Sequence, residues 1–298
     1  MPEQPGFVAL EGGDSRVEVV PSQGGKVRSL HMFGREWLRD TSGDGPASAG
    51  LLAGSGWEEC APAAGARLQH PETRIATLPE GQSVTSTWRG SALPWVMTRT
   101  LLVRPDGAVE ARYEAWTTGS ERLPFLWSAL IPFNLDSRTR LGLPEGARLR
   151  VSAVQGATVA GGVEQGFVAQ WPRLTLDGKS RDLGHPWSLP RAASISAWLE
   201  LGKARATLQL WQGDERLTLT LDGAGVPYCG IIVDRAGIGT GGRKGMFGRA
   251  KHGAPAVALC PSLGAPDHLP DALGDWKAIT WLVPGEQRRW SMTLRGGS

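Results

Sequence analysis

The feature that most constrains this chain is a period of two. Arg16–Val20 (RVEVV) alternates apolar and polar residues, Pro21-Ser22-Gln23-Gly24-Gly25 interrupts, and Lys26–Met32 (KVRSLHM) alternates again. Phe33-Gly34-Arg35-Glu36 then turns the chain into Trp37-Leu38. Successive strand side chains point to opposite faces, so alternation puts one face on a core and the other in water. The pattern predicts further strands over Ser83–Trp88, Val96–Val103, Val109–Thr117, Arg148–Val154, Ala193–Leu201, Ala206–Gln212, Leu217–Leu221, Tyr228–Asp234, Ala256–Cys260, Ala278–Val283 and Arg289–Leu294. Arg104-Pro105-Asp106-Gly107 reads as a turn: Pro fixes φ and Gly supplies positive φ. Pro284-Gly285-Glu286-Gln287 joins the last two strands. Helix signals are confined to a short turn over Asp267–Leu273, and neither a repeat nor a linker is evident. The reading is an all-β fold, two sheets packed face to face in one domain spanning residues 1–298.

Composition narrows the function classes. Of 298 residues, 41 are Gly and 21 Pro, which suits many short strands and turns. Lys and Arg number 32 against 29 Asp and Glu, a net charge of +3 without a basic run or basic helix, so nucleic acid is not expected as a partner. Three cysteines, Cys60, Cys229 and Cys260, make no disulfide framework. The first residues, MPEQPGFVALEGGDSR, lack the charged and apolar regions of a signal peptide, and no window approaches 18 apolar residues. The expectation is a cytoplasmic protein with no membrane contact.

Most motif readings fail on context. Asp177-Gly178-Lys179-Ser180 ends like a phosphate loop, but Arg173 stands where that motif needs its first glycine, and no helix follows. Gly237–Gly245 (GIGTGGRKG) has the composition of an anion cradle, again without a helix behind it, and reads better as a surface loop. The five histidines are scattered, no metal-ligand spacing appears, and no Gly-x-Ser-x-Gly elbow is present. The tryptophans say more: there are 13, against two tyrosines and six phenylalanines. An indole offers a flat apolar face and one N–H, which suits the C–H face of a sugar. Most should fill the core; Trp57, Trp95 and Trp127 border turns and are the candidates for a ligand.

Five segments, in order, resemble the aldose 1-epimerase (galactose mutarotase)-like superfamily. PSQGGKVRSLHMFGREWL is similar to its opening hairpin, and Gly56–Pro62 (GWEECAP) to the Gly-Trp-x-Glu-x-x-Pro loop of one branch. Gln69–Glu72 (QHPE) stands where that branch carries Asp-His-Gly-Glu. Leu123–Phe133 with Arg140–Pro144 (RLGLP) resembles a segment reading Leu-Pro-Phe-x-Trp-x-x-His-Pro-x-Phe and the strand after it. VALCPSLGAPDHL and WLVPGEQRRW resemble the closing strand, loop and hairpin. The resemblance implies a single large antiparallel β-supersandwich with a sugar site on an open face. It also implies a cofactor-free reaction. A glutamate takes the anomeric hydroxyl proton, a histidine protonates the ring oxygen, and the ring opens and recloses on its other face.

Two positions depart from that pattern. Leu130 occupies the place of the histidine and Cys260 that of the glutamate. Leu can donate no proton, and a thiol is mostly protonated at neutral pH. The resemblance therefore implies a monosaccharide-binding protein with weak or lost mutarotase activity. Its expected substrate-binding frame is Trp57, Glu58, Glu59, Trp127, Leu130, Cys260, Asp267 and His268. Asp267 has a second reading as the cap of the turn after it, and Glu58 and Glu59 one as an exposed pair. An active epimerase using His70 and Glu72 as substitute catalytic residues is the alternative, and a non-catalytic structural or interaction sandwich is another. Arg99, Arg138 and Arg140 read as exposed strand residues that a sugar phosphate would meet if it were the ligand. No cofactor or metal is expected, and the oligomeric state stays open between monomer and homodimer.

Overall fold

The computed structural model describes residues 6–39, 56–61, 68–159, 167–202, 205–222, 225–235 and 254–298. All the strand pairs are antiparallel. A nine-stranded sheet runs in spatial order Lys179–Asp182, Arg173–Leu176, Phe167–Gln170, Arg148–Gln155, Ser194–Glu200, Tyr228–Asp234, Ala256–Ser262, Ser128–Asn134 and Glu58–Cys60. An eight-stranded sheet runs Thr139–Gly142, Ala206–Gln212, Glu215–Leu221, Arg288–Gly297, Val109–Thr117, Trp95–Val103, Gly81–Arg89 and Glu72–Leu78. A four-stranded sheet over Val8–Glu36 and the pair Leu123–Phe125 with Thr280–Leu282 complete the β structure. Inward side chains of both large sheets form one apolar core.

Local sequence explains the elements. Along Val109–Thr117 every second residue is buried, from Val109 through Ala111, Tyr113 and Ala115 to Thr117, as half-buried strands require. Arg104-Pro105-Asp106-Gly107 is a turn: the Gly107 N–H donates to the Arg104 carbonyl, Gly107 has φ +79°, and the Asp106 carboxylate accepts from the Ala108 N–H. At the rejected phosphate loop, Asp177 (φ +50°) and Gly178 (φ +71°) form the positive-φ pair of a tight hairpin turn. Gly237–Gly245 lies outside the described residues.

The helix is Leu269–Leu273, two residues shorter than expected at its start. Its N-cap is His268, with no side-chain cap bond, so the capping role considered for Asp267 is corrected. The alternation also missed the strand Glu72–Leu78, an outermost strand whose Ile75 is exposed. No helix among the described residues is long and apolar enough to cross a membrane.

Candidate functional site

The strand Glu58–Cys60 places two glutamates on opposite faces of the nine-stranded sheet. Glu59 turns inward, and its side chain is fully buried. Its Oε1 accepts from Trp57 Nε1 (2.9 Å), Arg99 Nη1 (2.9 Å) and the Tyr113 hydroxyl (3.0 Å), and its Oε2 from Trp127 Nε1 (2.8 Å). Arg99, equally buried, also donates to the Gly25 carbonyl. Its guanidinium sits 5.7 Å from the Trp57 ring and 5.4 Å from that of Trp88. Tyr113 stacks on Trp290, and burial, with the Glu59 charge second, pushes its hydroxyl well above the ordinary tyrosine range.

This network corrects several expectations. Trp57 and Trp127 are fully buried, with their N–H groups committed to Glu59, and Trp95 is 5% exposed. Trp57 and Trp127 therefore offer no open face to a sugar. Glu59 is not a member of an exposed pair, and Arg99 is a core residue.

The outer face of the same sheet is built the other way round. Strand register aligns Glu58 with Leu130, Cys260 with Gly230, Gly230 with Trp198, and Trp198 with Arg150. Pairing of Ser128 with Ser262 and Ile131 with Leu259 brings Leu130 opposite Cys260. The two positions expected to mark the reactive centre are therefore neighbours, as the resemblance requires. Both lie in a second apolar cluster with Trp198, Ile232, Ala256, Ala258, Ala265 and Ala278. Trp198 leans over Gly230, where an added Cβ would meet its ring at 3.1 Å and the Cys260 Cβ at 3.0 Å. Cys260 is 4% exposed, and burial, with smaller contributions from Cys229, Cys60 and Asp267, pushes its thiol well above its ordinary value. Glu58 is at the edge of the row, ion-paired with Lys26 at 3.2 Å.

Next to this cluster is a cavity of about 390 Å³. Its polar lining is Ser152, Ser196, Asp267, His268 and Asp271, and Trp276 adds an indole. Neither Leu130 nor Cys260 lines it. A register shift between Val151 and Ala153 makes Ser152 a bulge residue, so Ser152 and Ala153 both reach the cavity. The Ser152 hydroxyl donates to the Ser196 carbonyl and lies 3.1 Å from its hydroxyl. Trp276 lies under the Arg150 guanidinium at 3.9 Å, and Arg150 donates to the Asp275 carbonyl. The segment carrying Asp267 and His268 is tied down by backbone bonds from Ala265 to Ala278, Ala272 to His268 and Trp276 to Asp271. His268 Nδ1 is 3.1 Å from Asp271 Oδ2. Burial raises Asp267 above its ordinary value, with a backbone hydrogen bond and His268 opposing the effect and Asp271 adding to it.

His70 and Glu72 are elsewhere. His70, exposed and at φ +50°, lines a separate cavity of about 390 Å³ with Trp88, Arg89 and Trp95. Glu72 does not line it; its carboxylate is exposed and 3.6 Å from Arg89. Of the expected site residues, the cavity beside the Leu130–Cys260 row retains Asp267 and His268. Sequence reasoning missed Ser152, Ser196, Asp271 and Trp276. A bulge leaves no mark in alternation, and Trp276 was passed over among 13 tryptophans. Among the described residues no group of three His, Cys, Asp or Glu could hold a metal ion.

No family model and no curated protein matches the sequence. Solved structures do match in fold. The galactose mutarotase related enzyme from Lactobacillus acidophilus is 12% identical, with a TM-score of 0.66 over 98% of this chain and 97% of that one. A galactose mutarotase-like protein from Lactobacillus casei is 16% identical (TM-score 0.60, 98% and 100% covered). An aldose epimerase homologue from C. elegans is 15% identical (TM-score 0.60, 98% of each chain). The chain thus has the galactose mutarotase-like β-sandwich fold along nearly its whole length.

Proposed function

We propose that this protein binds a monosaccharide or sugar derivative in the cavity over Ser152, Ser196, Asp267, His268, Asp271 and Trp276, and that it is at most a weak mutarotase. The observation that carries this reading is the contrast between two adjoining patches. Where the fold's relatives would place their acid and base, Leu130 and Cys260 are packed in hydrocarbon. Immediately beside them, hydroxyls, carboxylates and one half-buried indole converge on a cavity of about 390 Å³, ample for a pyranose. Such a mix of directional polar groups and an apolar platform is how small polar ligands are held.

Isothermal calorimetry against a panel of aldoses and sugar phosphates tests the reading. We expect at least one sugar to bind, and Trp276→Ala to weaken it by roughly tenfold, the scale of one aromatic contact. Absence of binding at millimolar concentrations, roughly −4 kcal/mol, would sink the proposal. It would favour the second reading, a structural or interaction sandwich, which the burial of Trp57, Trp95 and Trp127 supports.

A further inference from the structure

The second cavity, of about 390 Å³, is walled by the segment ending at His70 and by the turn that joins Gly81–Arg89 to Trp95–Val103. Its lining differs from that of the first cavity. Leu68, Trp88, Ala92, Leu93 and Trp95 make most of the wall apolar, and no Asp or Glu is among its described lining residues. Leu93 is 38% exposed, an apolar side chain open to whatever enters. The turn is a formed structure: the Gly90 N–H donates to the Trp95 carbonyl, and the Trp95 N–H to the Leu93 carbonyl, both at 2.9 Å.

The polar groups of this wall are mostly donors. Trp88 is 2% exposed, and its Nε1 is buried without a hydrogen-bond partner. An indole N–H can only donate, and leaving a buried donor unmade costs free energy, so the position calls for an acceptor. Trp95 brings the Nε1 edge of its ring to the same wall, since a Cβ added at the lining residue Gly90 would lie 2.6 Å from that nitrogen. Arg89 supplies a permanent positive charge at the exposed margin. Its ion pair with Glu72, at 3.6 Å, is exposed on both sides, and such pairs hold a guanidinium weakly.

We propose that this cavity is a second binding site, and that its ligand is a small amphipathic carboxylate. The apolar body packs on Leu93, Ala92 and the two indoles. The carboxylate oxygens accept from the donors of the wall, among them the Trp88 N–H and the Arg89 guanidinium, which supplies the charge. None of these residues lines the first cavity, so the proposal does not rest on the sugar-binding reading.

Calorimetry with 3-phenylpropionate as the probe tests it, beside 3-phenylpropan-1-ol, which has the body without the charge, and inorganic phosphate, which has charge without the body. The acid should bind, the alcohol about tenfold more weakly, and phosphate not at all at millimolar concentration. The Trp88 indole N–H resonance should move when the acid is added. Arg89→Gln should bring the acid down to the affinity of the alcohol. Leu93→Glu, which sets a like charge at the cavity, should weaken the acid more than the alcohol. Both positions are exposed, so these variants report even if Trp88→Phe fails to fold. Trp276→Ala, in the first cavity, should leave the acid's affinity unchanged. Four results would each overturn the assignment: no binding of the acid at millimolar concentration, an alcohol or phosphate that binds as well as the acid, unchanged affinity in both Arg89→Gln and Leu93→Glu, or loss of the acid in Trp276→Ala.

Discussion

The two faces of the nine-stranded sheet differ in character at the strand Glu58–Cys60. The inner face, sealed between sheets, contains a carboxylate, a guanidinium, a phenol and two indole N–H donors around Glu59. The outer face contains Leu130, Cys260, Ile232 and alanines, with Trp198 across Gly230. Yet the inner group lines neither of the two cavities described above, and the Glu59 carboxylate is fully engaged by four donors. Polarity in a sequence motif therefore does not locate a site; the face the residue is on does. The largest expected effect of breaking this contrast comes from Glu59→Gln. It leaves the buried Arg99 charge without its counterion, and removing one partner of a buried pair costs about 3–5 kcal/mol. Domains have only about 5–15 kcal/mol in total. Urea unfolding should show the loss, and the sugar affinity of the folded fraction should be unchanged. A small change in midpoint would mean that the network is not the fold's internal brace.

A second substitution tests the outer face. Leu130→His restores the family's residue type, but within a dry cluster. An imidazole buried without a partner should cost about 1–3 kcal/mol, less than the loss at Glu59. It should restore no anomer exchange, because position 130 does not line the cavity. A gain in exchange would show that the outer row remains the working site.

These contrasts also mark how far the sequence could be read. Four expected strands, Lys26–Met32, Val109–Thr117, Ala206–Gln212 and Tyr228–Asp234, match the structure end to end, since alternation is a local signal. The resemblance placed Leu130 and Cys260 as neighbours although 130 positions separate them. The run Phe125–Phe133 breaks alternation because most of its strand, Ser128–Asn134, is buried on both faces, by the core and by the outer cluster. No local rule distinguishes that case from a lost site lined by the same residues. Likewise, the inward turn of Trp57, Glu59 and Trp127 depends on Arg99 and Tyr113, tens of residues away, and GWEECAP read locally looks like a polar loop. Ser152 reaches the cavity only because a bulge offsets its strand.

The gentlest test concerns the cavity margin, where the two kinds of surface meet. Asp267 is raised in the fold above its ordinary value, chiefly by burial, with Asp271 adding and His268 opposing. The folded protein therefore holds that proton more tightly than the unfolded chain. The resulting stabilisation is complete below the unfolded Asp value and is lost as pH rises through the raised folded value. Asp267→Asn removes this term, so its stability curve should lack one proton's share of the downward slope across that window. The comparison is wild type minus variant, by urea midpoints at a series of acidic pH values. Parallel curves would mean that Asp267 is solvated like any surface carboxylate, and the apolar cluster would then end short of the cavity wall.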